Sequence, residues 1–292
     1  MGVKLYPMLK KILAKFIYFV IVKYPHKTYN FYCYLVENHK ELILKVFEIG
    51  TNQHSGIRRE LTEIISNPKN PWQITETTMH YGILPEQTLS PWLLDKEFMR
   101  TYAQIRESTY IDRYRCYELW ALAKQINGIE GDILEVGVWK GGSGSMIAKA
   151  QPNKKIFLAD TFAGVVKAGP NDPCYKNNEH ADTTESEVIS LMKQLDIENY
   201  EILSGIYPDE TGRNGPKKIS LLHCDVDVYG SSKDIIDYCL PMLSLGSIIV
   251  FDDYGFFGCE GVTKYCDELR NNKSFHFIHN LNGHAIFIKI QD

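Results

Sequence analysis

Between residues 132 and 290 the chain repeats one pattern: a short apolar run, an acidic residue near its end, then a stretch with helical spacing. Runs at 133–136, 155–159, 200–203, 219–224 and 247–251 read as strands. Stretches at 110–127, 143–150, 184–195, 232–243 and 260–271 have helical periodicity. Such alternation forces a parallel sheet, because successive parallel strands need a crossover and a helix supplies it. Two last runs, 275–279 and 284–290, flank Leu281-Asn282-Gly283, where Asn-Gly is a hairpin turn signal. The expected fold is α/β, a Rossmann-like sheet with an antiparallel C-terminal hairpin.

Residues 1–108 differ. They are rich in aromatics and poor in strand signals, and Asn67-Pro68, Asn70-Pro71 and Ser90-Pro91 mark turns. We read 1–108 as a mostly helical N-terminal extension and 109–292 as the α/β domain. Within residues 8–24 the purely apolar part runs from Phe16 to Val22 and Lys15 interrupts anything longer, leaving too few residues for a spanning helix. They read as a helix packed on the protein or one lying in a membrane interface, at the inner face of the membrane. No small-x-small cleavage site follows them. Glu48-Ile49-Gly50 is a chance copy of the later glycine motif, since Thr51-Asn52-Gln53 follows instead of glycines.

Composition narrows the class of partner. With 32 basic against 36 acidic residues the net charge is −4, which argues against a dedicated nucleic-acid binder. Seven cysteines, an odd number with no Cys-x-x-Cys pair, argue against a disulfide framework and a structural zinc site. A reducing cytoplasm is the expected compartment.

In open parallel sheets, ligands bind at the carboxyl ends of the strands. There lie Glu135, Asp160, Asp225 and the pair Asp252-Asp253. Gly137 and Gly141-Gly142-Ser143 form a turn where backbone can approach a ligand. Asp160, about 20 residues on, is placed for ribose hydroxyls of NAD or S-adenosylmethionine alike. Asp225, Asp252 and Asp253 would repel one another unless a cation lies between them. An oxygen-only set favours Mg²⁺.

These motifs carry a resemblance. Glu-Val-Gly-Val-Trp-Lys-Gly-Gly at 135–142, Asp-Thr-Phe-Ala-Gly at 160–164, Asp-Val-Asp-Val-Tyr-Gly-Ser at 225–231 and Asp-Asp-Tyr-Gly at 252–255 resemble the macrocin O-methyltransferase (TylF/MycF-type) family. The resemblance covers about residues 105–292. It implies a seven-stranded class I methyltransferase sheet and transfer of a methyl group from S-adenosylmethionine to a sugar hydroxyl, with Mg²⁺. It carries over Asp225, Asp252 and Asp253 as metal ligands. It carries over Glu135, Gly137, Gly141, Asp160 and Thr161 as the cofactor site, with Thr109-Tyr110 matching a Thr-Met pair at its edge. Gly142, Ser143, Phe162, Gly205 and Asp225 complete the expected cofactor set. Where the family has Asp-Ser-Phe-Glu-Gly, this chain has Thr161 and Ala163. The methylated hydroxyl must lose a proton. His180, where the family carries a histidine, and Asp227 are the two candidate bases, the first with the more suitable intrinsic pKa. The expected acceptor is a sugar or glycan, lipid-linked if 8–24 contacts a membrane, and the chain is expected to form a homo-oligomer. Three other readings stay open: a non-sugar acceptor, a nicotinamide oxidoreductase, and a non-enzymatic membrane-associated module.

Overall fold

The computed structural model describes residues 89–291, together with the backbone of a short antiparallel ladder, Trp72–Gln73 with Met79–His80. The ladder adds strand to a region read as helices and loops. The rest of 1–88, including the apolar stretch 8–24 and the Glu48-Ile49-Gly50 motif, lies outside the described residues. Ser90–Asp292 form one compact unit, which we describe by itself.

Seven strands make up its sheet: β1 Asp132–Val136, β2 Ile156–Asp160, β3 Tyr200–Ser204, β4 Ile219–Cys224, β5 Leu243–Phe251, β6 Phe275–His279 and β7 Ala285–Lys289. Their order is β3-β2-β1-β4-β5-β7-β6. The β1, β2, β3, β4 and β5 pairings are parallel, while β7 runs antiparallel to both β5 and β6. This is the expected seven-stranded methyltransferase sheet with its closing hairpin. The chain reverses its direction of sheet growth between β1 and β4, which opens a crevice at their carboxyl ends.

Helices cover both faces. One face packs α1 Lys96–Ile105, α2 Arg113–Gln125, α3 Gly142–Ala150 and α4 Glu185–Gln194 through Phe98, Leu119, Trp120, Met146 and Val188. The other packs α5 Tyr229–Cys239 and α6 Glu260–Leu269 through Ile235, Ile236, Val262 and Tyr265. Strands β1 and β4, covered on both sides, are buried nearly throughout, as central parallel strands are. The compact unit begins before residue 109, because α1 buries Phe98 and Ile105 against this core.

Two boundaries move from the periodicity reading. The helix expected at 232–243 starts at Tyr229 and stops at Cys239, and β5 starts at Leu243. Pro241 accounts for the early stop, since it lacks the N–H a helix interior needs. Among the described residues, all six cysteines are free, and no helix is long and apolar enough to cross a membrane.

Candidate active site

Three backbone bonds carry the ladder past the strand ends into the crevice. Gly137 N–H donates to Ala159, Asp225 N–H to Val136 and Asp252 N–H to Cys224. Asp225 and Asp252, at the ends of the adjacent strands β4 and β5, therefore stand side by side. A Cβ on Gly137 would lie 1.6 Å from the Asp225 carbonyl oxygen, and its φ is +88°. Only glycine fits where these two strands part.

The turn after Gly137 is braced from β2. Asp160 Oδ2 accepts the N–H of Val138 at 2.7 Å and of Trp139 at 2.8 Å, and its Oδ1 accepts Phe162 N–H at 2.7 Å. Trp139 sits at φ +47°, costly for a bulky side chain. It is fixed further by stacking on Tyr110 at 4.2 Å and by donating Nε1–H to Asp182 at 3.0 Å. Gly141 and Gly142 act one layer back. A Cβ on Gly142 would strike the Ser108 carbonyl at 2.5 Å, so its absence lets Ser108-Thr109 lie against the α3 N-terminus.

One cavity gathers most of the expected residues: Thr109, Tyr110, Gly137, Ser143, Asp160, Thr161, His180, Gly205, Asp225, Asp227, Asp252 and Asp253. Four expected residues do not line it: Glu135, Gly141, Gly142 and Phe162. Glu135 is fully buried, with Oε1 2.8 Å from His223 Nδ1. Its Oε2 lies where a Cβ on Gly144 would stand, so that glycine makes room for the carboxylate.

At the cavity's far wall, ligand oxygens of Asp225, Asp252 and Asp253 lie within 4.8 Å of one another. Burial and the neighbouring carboxylates push Asp225 and Asp253 well above the usual range. Burial would raise Asp252 as well, but Arg115 and the adjacent His284 outweigh it and hold it down to about 2. Two carboxylates driven toward protonation beside a third that stays charged form an all-oxygen donor set short of positive charge. That chemistry fits a hard divalent cation such as Mg²⁺.

Asp227 follows at φ +63°. It does not cap α5, whose N-cap is Val228. Its carboxylate instead accepts the Tyr175 hydroxyl at 2.8 Å, and burial raises its pKa. His180 is at the exposed rim, edge-on to Tyr110 at 5.6 Å. The loop carrying Tyr175 and His180 is fastened along its length. Asp172 accepts the N–H of Tyr229 and of Gly169, Lys167 pairs with Asp209 and Asp234, and Ser231 donates to Val166.

The sequence reading missed Arg115, Tyr175 and the pairing of half-buried Glu118 with buried His284. Arg115 left a signal: it falls on the apolar stripe of α2 with Ile111, Leu119 and Ala123. A charge on a buried stripe needs partners.

Residues 105–289 match the family described as macrocin-O-methyltransferase (TylF). Mycinamicin III 3''-O-methyltransferase of Micromonospora griseorubida is 29% identical over 159 residues, covering 48% of this chain and 62% of that protein. A tetracenomycin-C 4'-O-methyltransferase of Streptomyces olivaceus, whose name specifies a dimethoxyrhamnosyl substrate, is 24% identical over 147 residues, covering 46% and 56%. The chain thus spans less than two thirds of the length of these relatives. The solved O-methyltransferase NovP superimposes with a TM-score of 0.56 at 23% identity, over 63% of this chain and 83% of that one. That likeness is one of fold.

Proposed function

This chain belongs to the macrocin O-methyltransferase family, and from that premise we propose that it methylates a hydroxyl of a sugar or glycan with S-adenosylmethionine and Mg²⁺. The observation that carries the reading is the cavity itself, where a braced glycine turn and three clustered carboxylates face one space.

S-adenosylmethionine would be held by Thr109, Tyr110, Gly137, Ser143, Asp160, Thr161 and Gly205, and supplies a methyl group on a positive sulfur. Mg²⁺ would be held by Asp225, Asp252 and Asp253, and supplies a Lewis acid that lowers a hydroxyl's pKa. The chain's own residues do the rest. The Gly137–Trp139 turn presents backbone at close range, and Asp160 keeps that turn from relaxing. Asp227 takes the hydroxyl proton, because burial has raised its basicity in the direction a general base needs. His180, exposed at the rim, is the second candidate for that proton. The rhamnosyl group in the name of the Streptomyces olivaceus relative supports a sugar acceptor.

The catalytic part is assigned to 109–292, with 1–108 as an extension to it. Contact of 8–24 with a membrane, and hence a lipid-linked acceptor, is a separate proposal. Vesicle co-sedimentation of the full chain against one lacking residues 1–25 tests it, and equal behaviour defeats it.

The deciding experiment for the activity is mass spectrometry of a glycoside pool incubated with labelled S-adenosylmethionine. Label should enter a sugar hydroxyl, vanish in EDTA and return with Mg²⁺. Full transfer in chelator would sink the metal role. Asp252→Asn should lose turnover while keeping S-adenosylhomocysteine binding.

A further inference from the structure

Asp112, Arg115 and Glu118 follow one another at three-residue spacing along α2, so they share one side of the helix. Arg115 is 5% exposed. Its Nε donates to Asp112 Oδ2 at 2.8 Å, and its Nη1 to Asp252 Oδ2 at 2.5 Å. The guanidinium also lies 4.5 Å from the centre of the Phe256 ring. On the other side of Asp252, Oδ1 faces Nε2 of the fully buried His284 at 2.8 Å. His284 Nδ1 lies 2.5 Å from Glu118 Oε2. The string of acid and base that leaves α2 at Arg115 therefore returns to it at Glu118, and Asp252 is its midpoint.

The turn before β7 is built to hold His284 there. Asn280 Oδ1 accepts the N–H of Asn282 at 2.8 Å and of His284 at 3.2 Å, while its side-chain amide donates to Glu118. Asp252 thus meets a nitrogen at each oxygen from two different elements: Oδ2 accepts a hydrogen bond from Arg115, and Oδ1 stands at ion-pair distance from His284. A carboxylate oxygen has two lone pairs, so a grip on each still leaves one free. What the grip removes is rotation of the carboxylate.

We propose that Arg115 and His284 are positioning residues for the divalent cation: by holding Asp252 at both oxygens they set the geometry in which it joins Asp225 and Asp253. The inference rests on the metal reading above. Groups that orient a ligating carboxylate typically account for about 10–100-fold in metal affinity. They do so by removing the cost of ordering the ligand when the ion arrives.

The test is Mn²⁺ binding to the full chain, followed by electron paramagnetic resonance without turnover. Arg115→Lys keeps the charge but loses the planar fork, and His284→Gln keeps one donor. Each should weaken Mn²⁺ binding by about 10–100-fold, measured well below each variant's own melting temperature, with S-adenosylhomocysteine affinity unchanged. Glu118→Gln, which reaches Asp252 only through His284, should weaken it in the same direction and by less; it serves as the second variant should either of the others fail to fold. Folded variants with wild-type Mn²⁺ affinity would overturn the inference while leaving the metal reading in place. A wild-type chain that binds no Mn²⁺ would overturn both.

Discussion

Trp139 is kept in the left-handed backbone region by Asp160, which accepts its N–H at 2.8 Å from across the gap between β1 and β2. The same oxygen takes the Val138 N–H at 2.7 Å. Asp160→Asn removes the charge from these bonds, and charge-assisted hydrogen bonds contribute about 1.5–3 kcal/mol. The turn should then relax, and S-adenosylhomocysteine affinity should fall about tenfold or more, since each 1.4 kcal/mol is tenfold. Calorimetric titration checks it. Unchanged affinity would show that Asp160 does not brace the cofactor turn.

Gly137 offers a sharper test of backbone geometry. Its φ is +88°, and an added Cβ would overlap the Asp225 carbonyl oxygen. A Cβ there points at the Asp225 backbone, so strain and steric overlap dominate its effect on the fold. Gly137→Ala should destabilise the fold by more than about 2 kcal/mol, beyond the ordinary cost of placing alanine at positive φ. Urea denaturation measures it. Gly128, where a Cβ meets nothing within 4 Å, is the control position and should tolerate alanine.

Asp95 links α1 to α2. Its Oδ1 caps α1 by accepting Phe98 N–H at 3.0 Å, and its Oδ2 accepts Trp120 Nε1–H at 2.9 Å. Burial would raise its pKa, but the bonds from Phe98 and Trp120, with Lys124 nearby, lower it below 3.8. A depressed folded pKa contributes stability above the unfolded value, and that contribution is lost as pH falls through the folded one. Asp95→Ala should therefore cost about 1 kcal/mol at neutral pH, the usual value of an N-cap. The gap between wild type and variant should narrow as pH drops below 3.8. Parallel urea curves at neutral and acid pH decide it. A gap independent of pH would assign the loss to packing.

The strand-end acids were legible because the feature that places them is local. A parallel strand that ends in an acid leaves that acid at the carboxyl edge, whatever the loops do. Asp160, Asp225, Asp252 and Asp253 follow from that alone. Glu135 breaks the rule for a local reason as well: it is the fourth residue of a five-residue strand, so its side chain points into the layer and meets His223. Tyr175 was not legible, because the loop that delivers it takes its path from distant pins. Those pins are Asp172 on Tyr229 and Lys167 on Asp209 and Asp234. Nor was the pairing of Glu118 with His284, two residues 166 positions apart that meet only once β7 has docked against β5.

Tyr175 supplies the last test, of how the proposed base is held. Its hydroxyl donates to Asp227 Oδ1 at 2.8 Å, and Asp227 occupies a strained backbone at φ +63°. Without that bond the carboxylate is freer to turn toward Asp253. Tyr175→Phe keeps the ring and removes only the donor, so cofactor affinity and acceptor KM should stay as they are. The rate constant kcat should fall about tenfold, the equivalent of about 1.4 kcal/mol for one lost hydrogen bond at a reacting group. Steady-state kinetics beside Asp227→Asn and His180→Ala separate the alternatives. A large loss of kcat in His180→Ala with Asp227→Asn near wild type would move the base to the rim. A normal kcat in Tyr175→Phe with Asp227→Asn inactive would leave Asp227 as base and remove Tyr175 from its support.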